Sequence, residues 1–343
     1  MLILFALVAA ALALPAPVTS TVAFEGHALN PVFSADGRFV AFETNDYGGR
    51  LEVWGWRHGS GDPEKVPVPG QTAFAKGTMA LGPAWHRDGV MAFEAGSGEY
   101  RIRVFQPGFP QSEELMTVAE QPGAQTFPMF SADGARLVFV SGETGQGDLR
   151  VRSMDKGTLT PLRSTEGTET FPQFSADGST LLYGRKMGDM GDLFTMDPLR
   201  MAETSLVQAP DDQTRPTWAA GGAQVAYFSR TESGWSIAAV DAAGGSPRTV
   251  VQAVDLPLRA RPALSPDQQW VAWAHPEPPQ QNRIRLTRLD GQKTVEVPSP
   301  YTACSEPALA QRGDEIWLAY SALPSAEAAW RFLVLQDVTE LLR

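Results

Sequence analysis

The chain has 343 residues, of which 43% are hydrophobic and 20% charged, so it can bury a large core. Its net charge of −11, without any run of Lys or Arg, argues against binding to nucleic acid or to an anionic membrane surface. The single cysteine, Cys304, excludes an intrachain disulfide and is expected to be a small buried residue.

The first element is an apolar run, Leu2–Leu14, which is too short to span a bilayer and matches the core of a signal peptide. Small residues at Val18–Ser20 predict cleavage after Ser20, and no Cys follows that could carry a lipid anchor. The sequence thus predicts a signal peptide at 1–20, a periplasmic or secreted protein, and no transmembrane segment after cleavage.

The remainder of the chain is built from an internal repeat, which is clearest in three heptapeptides of the pattern Pro-x-Phe-Ser-Ala-Asp-Gly. These begin at Pro31, Pro128 and Pro172, and weaker copies begin at Pro83, Pro216, Pro262 and Pro307. Successive prolines are 52, 45, 44, 44, 46 and 45 residues apart. Such near-constant spacing indicates one supersecondary unit repeated seven times.

Each repeat predicts four short strands. A large apolar residue stands two positions after the Pro, an Asp-Gly hairpin signal follows in most copies, and a second strand alternates apolar residues, as in Leu137 and Phe139. A third strand ends in Asp in five of the seven copies, and a short fourth strand precedes the next Pro, as at 160–164. The longest connection, Arg57–Gly82, is expected to leave the repeat surface.

Four antiparallel strands per unit, repeated radially, predict an all-β fold: a seven-bladed β-propeller forming one domain over residues 21–343, with six blades as the alternative. Two segments compete to supply the strand that closes the ring. One is Thr21–Gly26, at the start of the mature chain, and the other is the tail Val338–Arg343. The sequence leaves this choice open.

The Pro-x-Phe-Ser-x-Asp-Gly core followed by a strand ending in Asp resembles the TolB-type, WD40-like propeller repeat over nearly the whole mature chain. The resemblance implies a propeller scaffold, and its members include a periplasmic partner of an envelope system and the propeller domains of peptidases. Those members carry an additional α/β domain. Here the repeats begin almost at the predicted cleavage site, and no Gly-x-Ser-x-Gly motif is present.

No catalytic, metal or cofactor pattern emerges from the repeats. The histidines, His27, His58, His86 and His275, stand at four different offsets from their repeat Pro, so a shared metal site is not expected. The Asp residues recur once per blade at a hairpin position, which predicts turn capping. No nucleotide fingerprint appears, and we expect no cofactor and a non-catalytic protein.

The residues just before each repeat Pro are the candidate binding positions, because the chain there reaches the mouth of the central channel and the residue type varies between copies. Arginine at such positions could recognise carboxylates. The predicted partner-binding residues are Asn30, Gln125, Glu169, Gln213, Arg215, Arg259, Arg261 and Glu306.

Three functions remain open on this reading. The first is a binding module of the cell envelope that takes a secreted or envelope protein or peptide at the channel mouth. The second is a carbohydrate-binding protein or polysaccharide-active enzyme, suggested by Trp54, Trp56, Trp85 and Trp235. The third is a structural subunit of a larger secreted or surface assembly.

Overall fold

The computed structural model describes residues 16–19, 26–45, 51–57, 64–65, 79–96, 99–106, 113–119, 121–257, 259–278 and 281–343. These form seven four-stranded antiparallel sheets, so the predicted seven-bladed propeller is confirmed. His58 and most of the Arg57–Gly82 connection lie outside the described residues.

The blades follow one another in chain order, each running from an inner strand at the channel to an outer strand. Blade 1 comprises His27–Phe33, Phe39–Asn45, Leu51–Arg57 and Glu64–Lys65. Blade 2 comprises Met79–Trp85, Met91–Gly96, Arg101–Gln106 and Glu113–Thr117. Blade 3 comprises Gln125–Phe130, Arg136–Ser141, Asp148–Ser153 and Leu159–Arg163. Blade 4 comprises Thr168–Phe174, Leu181–Met187, Met190–Asp197 and Ala202–Val207.

Blade 5 keeps this pattern, and blades 6 and 7 depart from it. Blade 5 comprises Gln213–Ala219, Gln224–Thr231, Gly234–Asp241 and Arg248–Val251. Blade 6 comprises Ala263–Leu264, Trp270–His275, Arg283–Arg288 and Thr294–Glu296. Blade 7 comprises Thr302–Arg312, Glu315–Leu323 and Phe332–Asp337, completed by Val18–Thr19. A 3₁₀ turn at Ala220–Gly222 and a short helix at Thr339–Leu342 are the helical segments of the described chain.

The ring is closed from the N-terminal side. Val18 and Thr19 pair with Leu335 and Val334 of blade 7, whereas the tail forms the helix at Thr339–Leu342. The closing strand therefore lies ahead of the predicted Thr21–Gly26, most of which is outside the described residues, and within the segment 1–20 that the sequence predicts to be removed. No helix in the described parts of the chain has the length and apolar character needed to cross a membrane.

The core lies between neighbouring blades, so the second strands are buried on both faces. Leu137, Val138, Phe139 and Val140 are consecutive and all have at most 3% of their surface exposed. Leu137 and Phe139 pack with residues of blade 2, such as Ile102, while Val138 and Val140 pack toward blade 4. Stacking of similar sheets around an axis thus supplies an apolar partner for each face of a blade.

The recurring Ser and Asp of the heptapeptide stabilise the first hairpin of the blade. In blade 3 the Ser131 hydroxyl donates to Asp133 Oδ1 at 2.6 Å and accepts the Arg136 N–H at 3.0 Å, while Asp133 accepts the Ala135 N–H at 3.0 Å. Blades 1, 4 and 6 repeat this arrangement. The predicted turn-capping role of these Asp residues is confirmed.

The repeat Pro occupies a β-bulge in the inner strand. In blade 1, Leu29 pairs with Glu43 and Val32 with Ala41, so the two residues Asn30 and Pro31 stand opposite one residue of the second strand. A bulge leaves a backbone group out of the ladder, which suits Pro because it has no N–H to donate. The same register shift occurs in blades 2, 3, 4, 5 and 7.

Candidate functional site

The central channel holds a cavity of about 660 Å³, lined by all seven inner strands. The residue directly after each repeat Pro faces this lumen, and five of the seven are apolar. The seven residues are Val32, Ala84, Met129, Gln173, Thr217, Ala263 and Ala308. A cavity of this size, with an apolar ring and a few charged groups among its lining residues, is typical of a ligand site.

The polar end of the cavity is formed around the bulges, and we call it the end layer. It consists of Asn30, Glu43, Gly82, Glu94, Phe127, Phe171, Arg215, Arg259, Arg261 and Glu306. The residue before the repeat Pro has a φ between 50° and 64° in six blades, among them Phe127 at 54° and Phe171 at 50°. A left-handed conformation at a bulky residue costs roughly 1–2 kcal/mol. The bulge thereby directs these side chains toward the axis.

Three buried carboxylates connect successive blades through the backbone of the end layer. Glu306 of blade 7 accepts the Asn30 N–H at 2.7 Å, Glu43 of blade 1 accepts the Gly82 N–H at 2.7 Å, and Glu94 of blade 2 accepts the Phe127 N–H at 2.9 Å. Glu43 and Glu94 are 2% and 0% exposed. Each bond satisfies an N–H that the bulge removes from the sheet ladder.

Arg259 spans the channel from the segment that leads into blade 6. Its Nη2 lies 2.5 Å from Oε1 of Glu94 in blade 2, on the far side of the ring. Its guanidinium also lies 5.3 Å from the centre of the Phe127 ring. Blade 6 has an inner strand of only two residues, Ala263–Leu264, so the preceding backbone is free of the sheet and can carry Arg259 across.

The basic side of the end layer surrounds Phe171. Arg215 and Arg261 each place a guanidinium 5.5 Å from the centre of this ring. Arg261 donates to the carbonyl oxygens of Pro216 and, at 2.9 Å, Pro172, and Arg215 donates to that of Pro257. These bonds tie blades 4, 5 and 6 together. Phe127 and Phe171 contact each other with ring centres 4.3 Å apart and separate the basic side from the acidic one.

Burial shifts the titration of the charged groups on both sides. It raises the pKa of Glu94 to about 7 against the opposing effect of Arg259, and it also raises the pKa of Glu43. On the basic side, burial lowers the pKa of Arg261 to about 9, with repulsion from Arg215 adding to the effect. A single site with carboxyl and guanidinium groups perturbed in opposite directions is a candidate for function.

The structure brings five of the eight predicted partner-binding residues to the end layer: Asn30, Arg215, Arg259, Arg261 and Glu306. The other three lie inside blades. Gln125 is buried and bonded to the backbone of Ile102 and Ala119, and Gln213 Nε2 is bonded to the carbonyl of Asp211. Glu169 is buried against Arg185. In blades 3, 4 and 5 the bulge accounts for this, because it turns only the residue before the Pro toward the axis and leaves those upstream in the sheet. That the residues bind a partner stays a prediction.

Sequence reasoning missed Glu43 and Glu94, which form the acidic side. Both follow the second-strand aromatic residue, in the identical tripeptides Ala41–Glu43 and Ala92–Glu94. The same strand position is Val140 in blade 3 and Gly184 in blade 4. A carboxylate on an otherwise apolar strand is the signal that could have identified them.

Several Trp, His and Cys residues singled out from the sequence are buried or hydrogen-bonded within the propeller. Trp56 is 3% exposed, and Trp85 donates to the Val32 carbonyl at 2.9 Å. His86 contacts the Gly134 carbonyl, and Cys304 is fully buried. Within the described ranges, no three His, Cys, Asp or Glu side chains are grouped so that they could hold a metal ion.

The fold and the site define a seven-bladed propeller whose channel ends in a charged, aromatic layer. The family model of the TolB beta propeller domain matches residues 71–312, more than half of the chain. The chain therefore belongs to the TolB β-propeller domain family. A search of curated proteins finds no match.

Solved structures with low sequence identity share the fold. TolB from Acinetobacter baumannii is 18% identical with a TM-score of 0.60, and the match covers 80% of this chain and 67% of that one. Oligogalacturonate lyase from Vibrio parahaemolyticus is 13% identical with a TM-score of 0.64, covering 95% and 92%. A Mycobacterium tuberculosis puromycin-hydrolyzing peptidase is 15% identical with a TM-score of 0.67, covering 92% and 51%, so this chain spans about half of that enzyme.

Proposed function

We propose that this chain is a non-catalytic propeller of the bacterial cell envelope that binds a protein or peptide through its central channel. The observation that carries the proposal is the end layer. The repeat builds seven similar blades, yet at this one level the residue before the Pro changes from blade to blade and is held in a left-handed conformation in six of them. Strain that persists at non-glycine residues around a cavity is typical of a functional site.

The lumen suits a chain segment. Its volume of about 660 Å³ lies within the range of ligand cavities, and the apolar ring contains small residues such as Ala84, Ala263 and Ala308. An extended segment that enters it meets Arg259 and Glu94 at the end layer, so the apolar wall supplies burial and the charged groups supply specificity. The apolar run Leu2–Leu14, which predicts export, supports an envelope or secreted partner.

The test is to fill the lumen without touching the end layer. In Ala263→Phe and Ala308→Phe a ring is placed on the channel wall, whereas in the matched control Ala243→Phe it is placed on an exposed hairpin. The partner is captured on the wild-type protein from native envelope and identified by mass spectrometry. We expect both lumen variants to lose this partner and Ala243→Phe to keep it, with all three proteins folded by circular dichroism.

Recovery of the partner on both lumen variants would contradict channel binding. The polysaccharide alternative is tested on the same proteins, with acidic and neutral polysaccharides as substrates. Turnover that Ala263→Phe abolishes would replace the binding proposal with an enzymatic one. A stable assembly that survives in all variants would indicate the structural-subunit alternative.

A further inference from the structure

Glu306 of the end layer acts on Arg215, so the other two carboxylates, on the acidic side, share a single cation. Glu43 and Glu94 are both buried there, and the positive group that acts on both of them is Arg259. Arg215 and Arg261 lie across the Phe127–Phe171 pair. With both carboxyl groups ionised, Glu43, Glu94 and Arg259 together have a net charge of −1, which buried groups tolerate poorly without a further partner.

One atom of this pocket has its bonding capacity unused. Glu94 Oε1 accepts from the Phe127 N–H and from Arg259 Nη2, whereas Oε2 is buried and has no hydrogen-bond partner among the described residues. Glu94 lines the lumen. A buried carboxylate oxygen without a donor, on a residue that lines a cavity, indicates a site for a donor supplied from outside.

The geometry selects the kind of donor. Because Oε1 already holds Arg259, a single oxygen is open, and a second guanidinium could not bind the carboxylate as a bidentate fork. A compact ammonium group needs one acceptor of this kind. A lysine side chain also has an apolar stem of four carbons, which matches a lumen walled by Ala84, Met129 and Ala308.

We propose that Glu94 binds the ammonium group of a peptide in the channel, presented by a lysine side chain or by the chain terminus. The inference rests on the proposed function and specifies the chemistry of the bound segment. Glu43 and Glu94 would then face two cations, one from Arg259 and one from the bound peptide. The overall charge of −11 favours the approach of such a cationic partner.

The groups around Glu94 predict how binding depends on pH. Glu43, Arg259 and Tyr100 act on it electrostatically, and burial raises the pKa of Glu94 to about 7. An ammonium group binds the ionised carboxylate, so affinity should rise between about pH 5 and about pH 8. Tyr100 stays neutral in this range, because burial and Glu94 raise its pKa.

The experiment compares three short alanine-based probe peptides by calorimetry at about pH 8. One is acetylated with an internal lysine, one is the same peptide with norleucine in place of lysine, and one is the norleucine peptide with a free amino terminus. We expect the lysine peptide or the free-amine peptide to bind about tenfold or more tightly than the acetylated norleucine peptide. The probe that gains shows which source of ammonium the site accepts.

The variants assign this preference to the carboxylate. Glu94→Gln should abolish it, and the exposed control Glu232→Gln should retain it. Equal binding of all three peptides to the wild type, absence of binding, or a preference that survives in Glu94→Gln would overturn the inference. Should Glu94→Gln not fold, loss of the preference in the wild type at about pH 5 supports the inference and its persistence overturns it.

The two proposals fail in different ways. Partner capture that persists in Ala263→Phe contradicts channel binding itself. Capture that is lost in Ala263→Phe, together with a peptide preference that is unchanged in Glu94→Gln, contradicts the ammonium site alone.

Discussion

The buried network around Arg185 in blade 4 gives a sharp prediction. Arg185 Nε lies 2.9 Å from Oε1 of Glu169, its Nη2 lies 2.5 Å from Glu203, and its guanidinium lies 4.3 Å from the centre of the Phe194 ring. Arg185, Glu169 and Glu203 are 11%, 0% and 16% exposed. In Arg185→Met the two carboxylates would lose the cation between them. Removing one partner of a buried ion pair typically costs about 3–5 kcal/mol.

The stability loss should depend on pH. Burial already raises the pKa of Glu169, and hydrogen bonds from Arg185 hold it down, so removing Arg185 raises it further. The folded variant then binds more protons than the unfolded chain, and its free energy of unfolding falls as the pH rises. The difference in free energy of unfolding between wild type and Arg185→Met should therefore be larger at about pH 8 than at about pH 5.

Urea denaturation at both pH values measures the effect, with Arg200→Met as the control. Arg200 is 83% exposed and pairs with Asp197 on the surface, so its loss should cost less than about 1 kcal/mol. The melting temperature of Arg185→Met should be lower by roughly 4–7 °C, because the unfolding entropy of a chain of 343 residues is about 0.7 kcal/mol per K. A loss below about 1 kcal/mol, or one that is equal at both pH values, would refute the assignment of Glu169 to a structural ion pair.

Three further predictions follow from the channel and the ring closure. In urea denaturation, Gly82→Ala should lose more stability than Gly221→Ala. Both glycines have a left-handed φ, but a Cβ at Gly82 would lie 2.9 Å from Glu94 Oε1, whereas a Cβ at Gly221 would meet nothing within 4 Å. Equal losses of stability in the two variants would contradict this contact. The pKa of Glu94 is raised in the fold, so this residue makes the free energy of unfolding fall as the pH rises from about 4.5 to 7, by at most about 1.4 kcal/mol per pH unit. In denaturation curves, Glu94→Gln should flatten this dependence of stability on pH. A chain that begins at residue 21 should be about 1–3 kcal/mol less stable than one that begins at residue 16, because it lacks the strand Val18–Thr19 at the edge of blade 7. Equal melting temperatures for the two chains would show that another segment closes the ring.

Much of the scaffold could be predicted because each repeat carries the same local chemistry. The Ser131 and Asp133 pair determines its hairpin through bonds that span five residues or fewer, so the sequence window that contains them contains the whole interaction. The position of Pro128 in a bulge follows from the same locality, since Pro lacks the N–H that a ladder requires. Periodic spacing then extends one blade to seven.

The position of a residue relative to its repeat Pro was not sufficient to predict the site. Arg259 and Glu94 are 165 residues apart, and they meet because blades 2 and 6 face each other across the axis and because the inner strand of blade 6 is short. Gln125 and Arg215 both stood near a repeat Pro, yet the bulge turns only the second toward the channel.

The sequence alone thus determined the repeating unit and its hairpin chemistry, because these depend on contacts between near neighbours in the chain, and the count of repeats favoured seven blades over six. Tertiary structure decided which charges meet across the lumen and which segment closes the ring. Those contacts join residues from different blades, and their free energies depend on burial that exists only once the ring has formed.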